Sequence, residues 1–280
     1  MAGTLFIVAT PIGNLEDFTF RALRTLREVD LIAAEDTRRT AKLLAHYQVH
    51  KPVISLREHN EAREAPRLVA RMTAGETIAL VTDAGTPTIA DPGARLVRAA
   101  HAAGLRVVPI PGPSAVAAAL SVSGFSGDHF VFLGFPPASG QSRQRWFDDL
   151  ANEQRVAVFF EAPHRVRRTL EDLNKSVKRP TVVAREMTKV NENVVNKPIN
   201  CKMAEINEIG EICIVVDSPH EHSNQNVTDE EVIAVFGRLI DNLEHDEELV
   251  IRLISLHLNL PPHRVRNIIK KARIRAKQRA

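Results

Sequence analysis

Short apolar runs recur along the first 110 positions, and helical patterns fill most of the gaps between them. TLFIVA (4–9), DLIAAE (30–35), PVISL (52–56), TIALV (77–81) and LRVVPI (105–110) read as strands. Each is nearly continuous in apolar residues rather than alternating, the pattern of a strand covered on both faces. Helical spacing follows at 18–28, where Phe20, Leu23, Leu26 and Val29 share a face, and again at 60–73, 92–103 and 113–122. Strands separated by helices of this length specify βαβ units and a mostly parallel sheet. A second block starts near residue 125. Its strands are predicted at 129–135, 155–161, 180–186 and 211–217, with helices at 141–151 and 163–174. The fold class is therefore α/β, with one domain over 1–112 and a second over 113–218. SPHEHSNQNVT (218–228) is polar and aperiodic and reads as a linker.

The remaining segment, 226–280, is expected to be a small helical domain. Thr228 and Glu231 form a capping box that opens a helix over 229–243. A second helix spans 246–258, and Leu260-Pro261-Pro262 stops one helix and restarts another. Residues 226–250 carry eight acids and one base, whereas 251–280 carry nine bases and no acid. Such a run is either a solvated helical face or a phosphate-binding patch.

Composition removes several classes. Aromatic residues make up only 5% of the 280, too few for a base-stacking platform. The two cysteines, Cys201 and Cys213, lack metal-ligand spacing and read as reduced thiols. No apolar run approaches the ~20 residues of a membrane span, and no signal peptide is recognisable. Dinucleotide, P-loop, zincin and hydrolase-elbow motifs are all missing. No metal site, no membrane association and a cytoplasmic location are expected.

In an open parallel sheet, ligands bind beyond the carboxyl ends of the strands. The loops there are TPIGN (10–14), EDTRR (35–39), DAGTP (83–87) and PGPSA (111–115). Glycine, proline and small hydroxyl residues let backbone groups approach a ligand closely. Each loop taken singly is also an ordinary turn.

Those four motifs in that order, with FFEAPHR and AREMTK further on, resemble the tetrapyrrole-methylase superfamily, and closely resemble its branch acting on small-subunit ribosomal RNA. The resemblance spans about residues 3–190. It departs at Asn191, where an aromatic is common, and at Ile209, where Lys is usual before Gly210-Glu211. It implies two α/β domains with S-adenosylmethionine (SAM) in the cleft between them, a homodimer, and 2′-O-methylation of cytidine 1402 in 16S ribosomal RNA of the small subunit. Methylation of a corrin- or porphyrin-type small molecule, and RNA binding without catalysis, are the competing functions.

Under this resemblance, Pro11, Gly13, Asp83, Gly85, Thr86, Ser114, Ala115 and Phe160 fall on the cofactor side. Asp83 is expected at the methionine end of SAM or near its sulfonium. Ser114 and Ala115 open a helix whose free N–H groups suit a carboxylate or a ribose hydroxyl. Arg38, Arg165, Arg185 and Lys189 are the expected RNA contacts. An acceptor hydroxyl must lose a proton as it attacks. Glu35 and His164 are the two candidates for the base, and the sequence does not choose between them.

Overall fold

The computed structural model describes residues 2–197, 209–219, 228–242, 247–258, 260 and 262–279. Cys201 and most of the expected linker lie outside these residues. The first sheet holds β1 (Thr4–Val8), β2 (Leu31–Ala34), β3 (Val53–Ser55), β4 (Ile78–Val81) and β5 (Arg106–Ile110). Their order is β3-β2-β4-β1-β5, and every pairing is parallel. Four helices cover it: α1 (Phe20–Glu28), α2 (Thr37–His46), α3 (Glu58–Thr73) and α4 (Ala94–Ala102). Every residue of β2 and β4 is buried. Leu31, Ala33, Ile78 and Leu80 point to the side that packs with Leu68, Met72 and Leu96 of α3 and α4. Ile32, Ala34, Ala79 and Val81 point to the other, against Ala22, Leu26 and Leu44 of α1 and α2. Period-two alternation thus serves two cores, which explains why the strands read as unbroken apolar runs.

The second sheet is mixed. It orders β6 (Phe130–Phe132), β7 (Val156–Glu161), β10 (Ile212–Val216), β8 (Thr181–Arg185) and β9 (Asn193–Lys197). Only β6 and β7 run parallel, and the other three pairings are antiparallel. The parallel expectation therefore holds for the first sheet alone. The connection from β8 to β9, residues 186–192, is short and carries no crossover helix, so those two neighbours must run antiparallel. Helices α6 (Gly140–Asn152) and α7 (Val166–Ser176) cover one face through Phe147, Leu150 and Leu173. Helix α5 (Ala115–Ser123) covers the other through Val116 and Ala119. This helix leaves the end of β5 in the first sheet yet packs on the second.

Two elements have no counterpart in the sequence expectations: α2 and the edge strand β9. The three C-terminal helices are α8 (Asp229–Asn242), α9 (Glu247–His257) and α10 (Pro262–Arg279). They share a core of Val232, Val250, Ile254, Leu260, Val265, Ile268 and Ile269. The capping box is present, with Glu231 N–H donating to Thr228 Oγ1 (3.2 Å) and Thr228 N–H donating to Glu231 Oε2 (3.1 Å). Arg266 pairs with Glu248 (2.5 Å) and Arg273 with Glu247 (3.0 Å), so part of the basic helix's charge is met by acids of α9.

Candidate active site

The carboxyl ends of β1, β2, β4 and β5 bring their four loops together. Residues Thr10 and Gly85 exchange backbone hydrogen bonds (2.9 and 3.0 Å), and the Thr10 hydroxyl donates to the Thr82 carbonyl (3.1 Å). Thr86 Oγ1 donates to the Pro113 carbonyl (3.2 Å), which fastens the β4 loop to the β5 loop. Gly85 sits at φ +84°, a conformation that side chains disfavour. Thr88 (φ 74°) and Ala90 (φ 62°) hold left-handed backbone in the same loop. Strain of this kind costs about 1–3 kcal/mol per residue and concentrates at functional sites.

A hollow of about 340 Å³ opens over these loops. One wall is acidic, built from Glu35, Asp83 and Asp91. Thr82 Oγ1 donates to Glu35 Oε2 (2.8 Å), and the Asp36 N–H donates to Asp83 Oδ1 (3.0 Å). Arg39 lies 3.4 Å from Asp83. Burial lifts the Asp83 carboxyl above its ordinary range, with the charge of Glu35 adding to the rise. Burial pushes Asp91 up to about 6, again with Glu35 and Asp83 adding to the effect. The opposite wall belongs to the second sheet and is mostly apolar: Phe135, Phe160, Ala162, Met187, Ile212 and Cys213. Phe160 packs edge-on against Phe132, with ring centres 5.0 Å apart. Burial raises the Cys213 thiol to about 12, which keeps it protonated and inert. Ser114 caps α5 at the hollow's edge.

A smaller hollow of about 280 Å³ adjoins the first. It is lined by Thr10, Pro11, Gly13 and Leu15 on one side and by Arg39, Thr40, Lys42 and Leu43 of α2 on the other, with Thr82 and Asp83 between. Gly13 is in close contact with the second half of the molecule. A Cβ there would lie 2.4 Å from Lys189 Cγ and 2.9 Å from the Met187 carbonyl.

The structure thus places Glu35, Asp83, Gly85, Thr86, Ser114, Ala115 and Phe160 around the larger hollow, and Pro11 and Gly13 around the smaller. The other expected residues line neither. His164 is exposed on the 3-10 turn after β7. Arg38 is exposed and held by Asp36 (2.9 Å). Arg165 reaches inward to the fully buried Glu161 (2.7 Å), which Thr169 and the Ala162 N–H also bind. Arg185 donates to the carbonyls of Ile209 and Asn191, and Lys189 pairs with Glu186 (2.7 Å) and Glu211 (3.2 Å). Sequence reasoning missed Asp91, Arg39 and Lys42. Their helical spacing offered a signal for the two cations: Arg39 and Lys42 lie three apart on a helix capped by Asp36, whose side chain accepts from the Arg38 N–H (2.8 Å). Among the described residues, no group of three or more His, Cys, Asp or Glu side chains is arranged to hold a metal, and no helix is long and apolar enough to cross a membrane.

Two α/β layers that share one hollow at their facing edges define a two-domain methylase-type fold. Solved structures agree. Diphthine synthase superposes with a TM-score of 0.62 at 16% identity, over 77% of this chain and 90% of that one. Uroporphyrin-III-C-methyltransferase from Thermus thermophilus gives 0.53 at 17%, over 85% and 98%. Residues 4–200 match the family described as tetrapyrrole (corrin/porphyrin) methylases, and the chain belongs to that family of methyltransferases. Three similar relatives carry the name ribosomal RNA small subunit methyltransferase I. That of Xylella fastidiosa is 46% identical over 81% of this chain and 86% of its own length. That of Pseudomonas aeruginosa is 48% identical over 71% of each, and that of Thermotoga maritima 44% over 76% and 98%.

Proposed function

We propose that this protein uses SAM to methylate the ribose 2′-hydroxyl of cytidine 1402 in the 16S RNA of the small ribosomal subunit, acting as a cytoplasmic homodimer. The carrying observation is a single hollow with two unlike walls, reached by every loop that resembles a family motif. Relatives 43–49% identical, named for small-subunit ribosomal RNA, support the substrate. The residues present suit a donor bearing positive charge at sulfur and at its amino group. Glu35, Asp83 and Asp91 supply negative potential, while Phe135, Phe160 and Met187 offer apolar surface for an adenine. The start of α5 at Ser114 and Ala115 presents N–H groups to a carboxylate or a ribose.

Bound SAM supplies a methyl group already activated by the adjoining sulfonium. The chain's task is then to align, to exclude water and to receive a proton. Of the two candidates for the base, Glu35 lies in the hollow and His164 lies outside it, which supports a carboxylate. The domain limits 1–112, 113–218 and 226–280 belong to the same reading.

The test is methyl transfer from labelled SAM to small subunits prepared without this modification, followed by mass-spectrometric mapping of 16S ribose methylation. Label at one cytidine ribose is the expected result. Transfer to a corrin or porphyrin precursor instead, or RNA binding with no measurable SAM affinity by calorimetry, would refute it.

A further inference from the structure

We propose that the smaller hollow is the acceptor-nucleotide subsite, with Arg39 and Lys42 of α2 binding the phosphates that flank the target ribose. This rests on the methyl-transfer reading above and adds the place where the RNA enters. The argument begins with what the two hollows share. Arg39 and Asp83 line both, and no other residue does so among the linings described. A methyl group can pass only where donor and acceptor compartments meet, so the acceptor belongs in the space adjoining the donor's across Asp83.

The chemistry of the smaller hollow fits a sugar–phosphate unit. Three largely buried threonines, Thr10, Thr40 and Thr82, lie on its walls, with only Pro11, Leu15 and Leu43 contributing larger apolar surface. At about 280 Å³ it lies just below the ~300–1,000 Å³ of most ligand sites, and suits one nucleotide rather than a macrocycle. Arg39 and Lys42 stand on one face of α2, one turn apart. Arg39 is 64% exposed at its side chain, with Asp83 at 3.4 Å as its ionic neighbour. Lys42 is exposed and joins no ion pair among the described residues. By contrast Arg165, Arg185 and Lys189 are already committed to partners within the fold. Cations held ready in this way are what a phosphate requires.

The experiment uses the full chain, unmethylated small subunits and SAM. Arg39→Ala, Lys42→Ala and the double variant are measured for RNA binding without SAM, for SAM binding by calorimetry, and for thermal midpoint. The double variant is expected to bind the subunit 10- to 100-fold more weakly. Its slope of log affinity against log salt should fall by about one to two, since each lost phosphate contact removes ~0.7–0.9. In Lys42→Ala, which touches the smaller hollow alone, SAM affinity should stay within about threefold, with the thermal midpoint unchanged. Unchanged RNA affinity and salt slope in the double variant would overturn the proposal, as would a loss of SAM affinity in Lys42→Ala equal to its loss of RNA affinity. Absence of SAM binding by the unaltered protein would instead overturn the methyl-transfer reading, and the RNA arm would still decide whether the hollow binds phosphate.

Discussion

Asp91 shows how a single side chain reports its surroundings. In an unfolded chain its carboxyl titrates near 3.8, and in the folded hollow near 6, chiefly because burial disfavours the charge. Between those values the folded state keeps a proton that the unfolded state has released. Stability must therefore fall as pH rises through about 4 to 6 and stay lowered above that window. Asp91→Asn should raise the calorimetric midpoint at pH 7.5 by ~2–6 °C, allowing for the residue's partial exposure. The gain should vanish near pH 3.5, where the native carboxyl is neutral as well. A gain independent of pH would point to packing rather than charge.

At the scale of the element, α4 depends on a residue from another helix. Its N-cap is Gly93, at φ +127°, which has no side chain to offer. Glu61 of α3, only 5% exposed, accepts from the N–H groups of Arg95 (2.7 Å) and Leu96 (3.1 Å) in its place. A carboxylate here satisfies two orphan donors and meets the positive end of the helix. Glu61→Ala should cost about 2–3 kcal/mol in urea denaturation, and Glu61→Gln, which keeps an acceptor, clearly less. Equal losses would show that the hydrogen bonds to Oε1 contribute little. Elements of this sort also mark what a sequence can and cannot disclose. The strands of the first sheet were legible because two-sided burial makes them unbroken apolar runs, and their ends then located four loops. Helix α2 was not, because its buried face consists of Thr40 and Leu44 alone. Strand β9 was hidden because edge strands need little apolar pattern, and NVVNK has only two apolar residues. The same blind spot hid Arg39 and Lys42, since without a helix read over 37–46 their spacing of three went unused. Asp91 was hidden for another reason: its loop reaches the hollow only through the tertiary path of 83–93.

On the scale of the whole molecule, the two halves meet where Gly13 lies against Met187, Thr188 and Lys189. The lysine stem can swing aside from an added methyl group, but the Met187 carbonyl is backbone and cannot without moving its loop. Gly13→Ala should therefore shift the second sheet's wall relative to the first. The expected outcome is at least tenfold weaker SAM binding in calorimetry together with a lower thermal midpoint. Undiminished SAM affinity would show that this contact does not set the width of the hollow.

Helix α5 carries a related consequence. Its first turn, at Ser114 and Ala115, borders the larger hollow at the end of β5, while Val116 and Ala119 are anchored in the second sheet's core. One rigid rod is thus mortised into both halves. Whatever seats itself at its tip also braces the joint, so the grip on a guest and the alignment of the two sheets cannot be tuned separately.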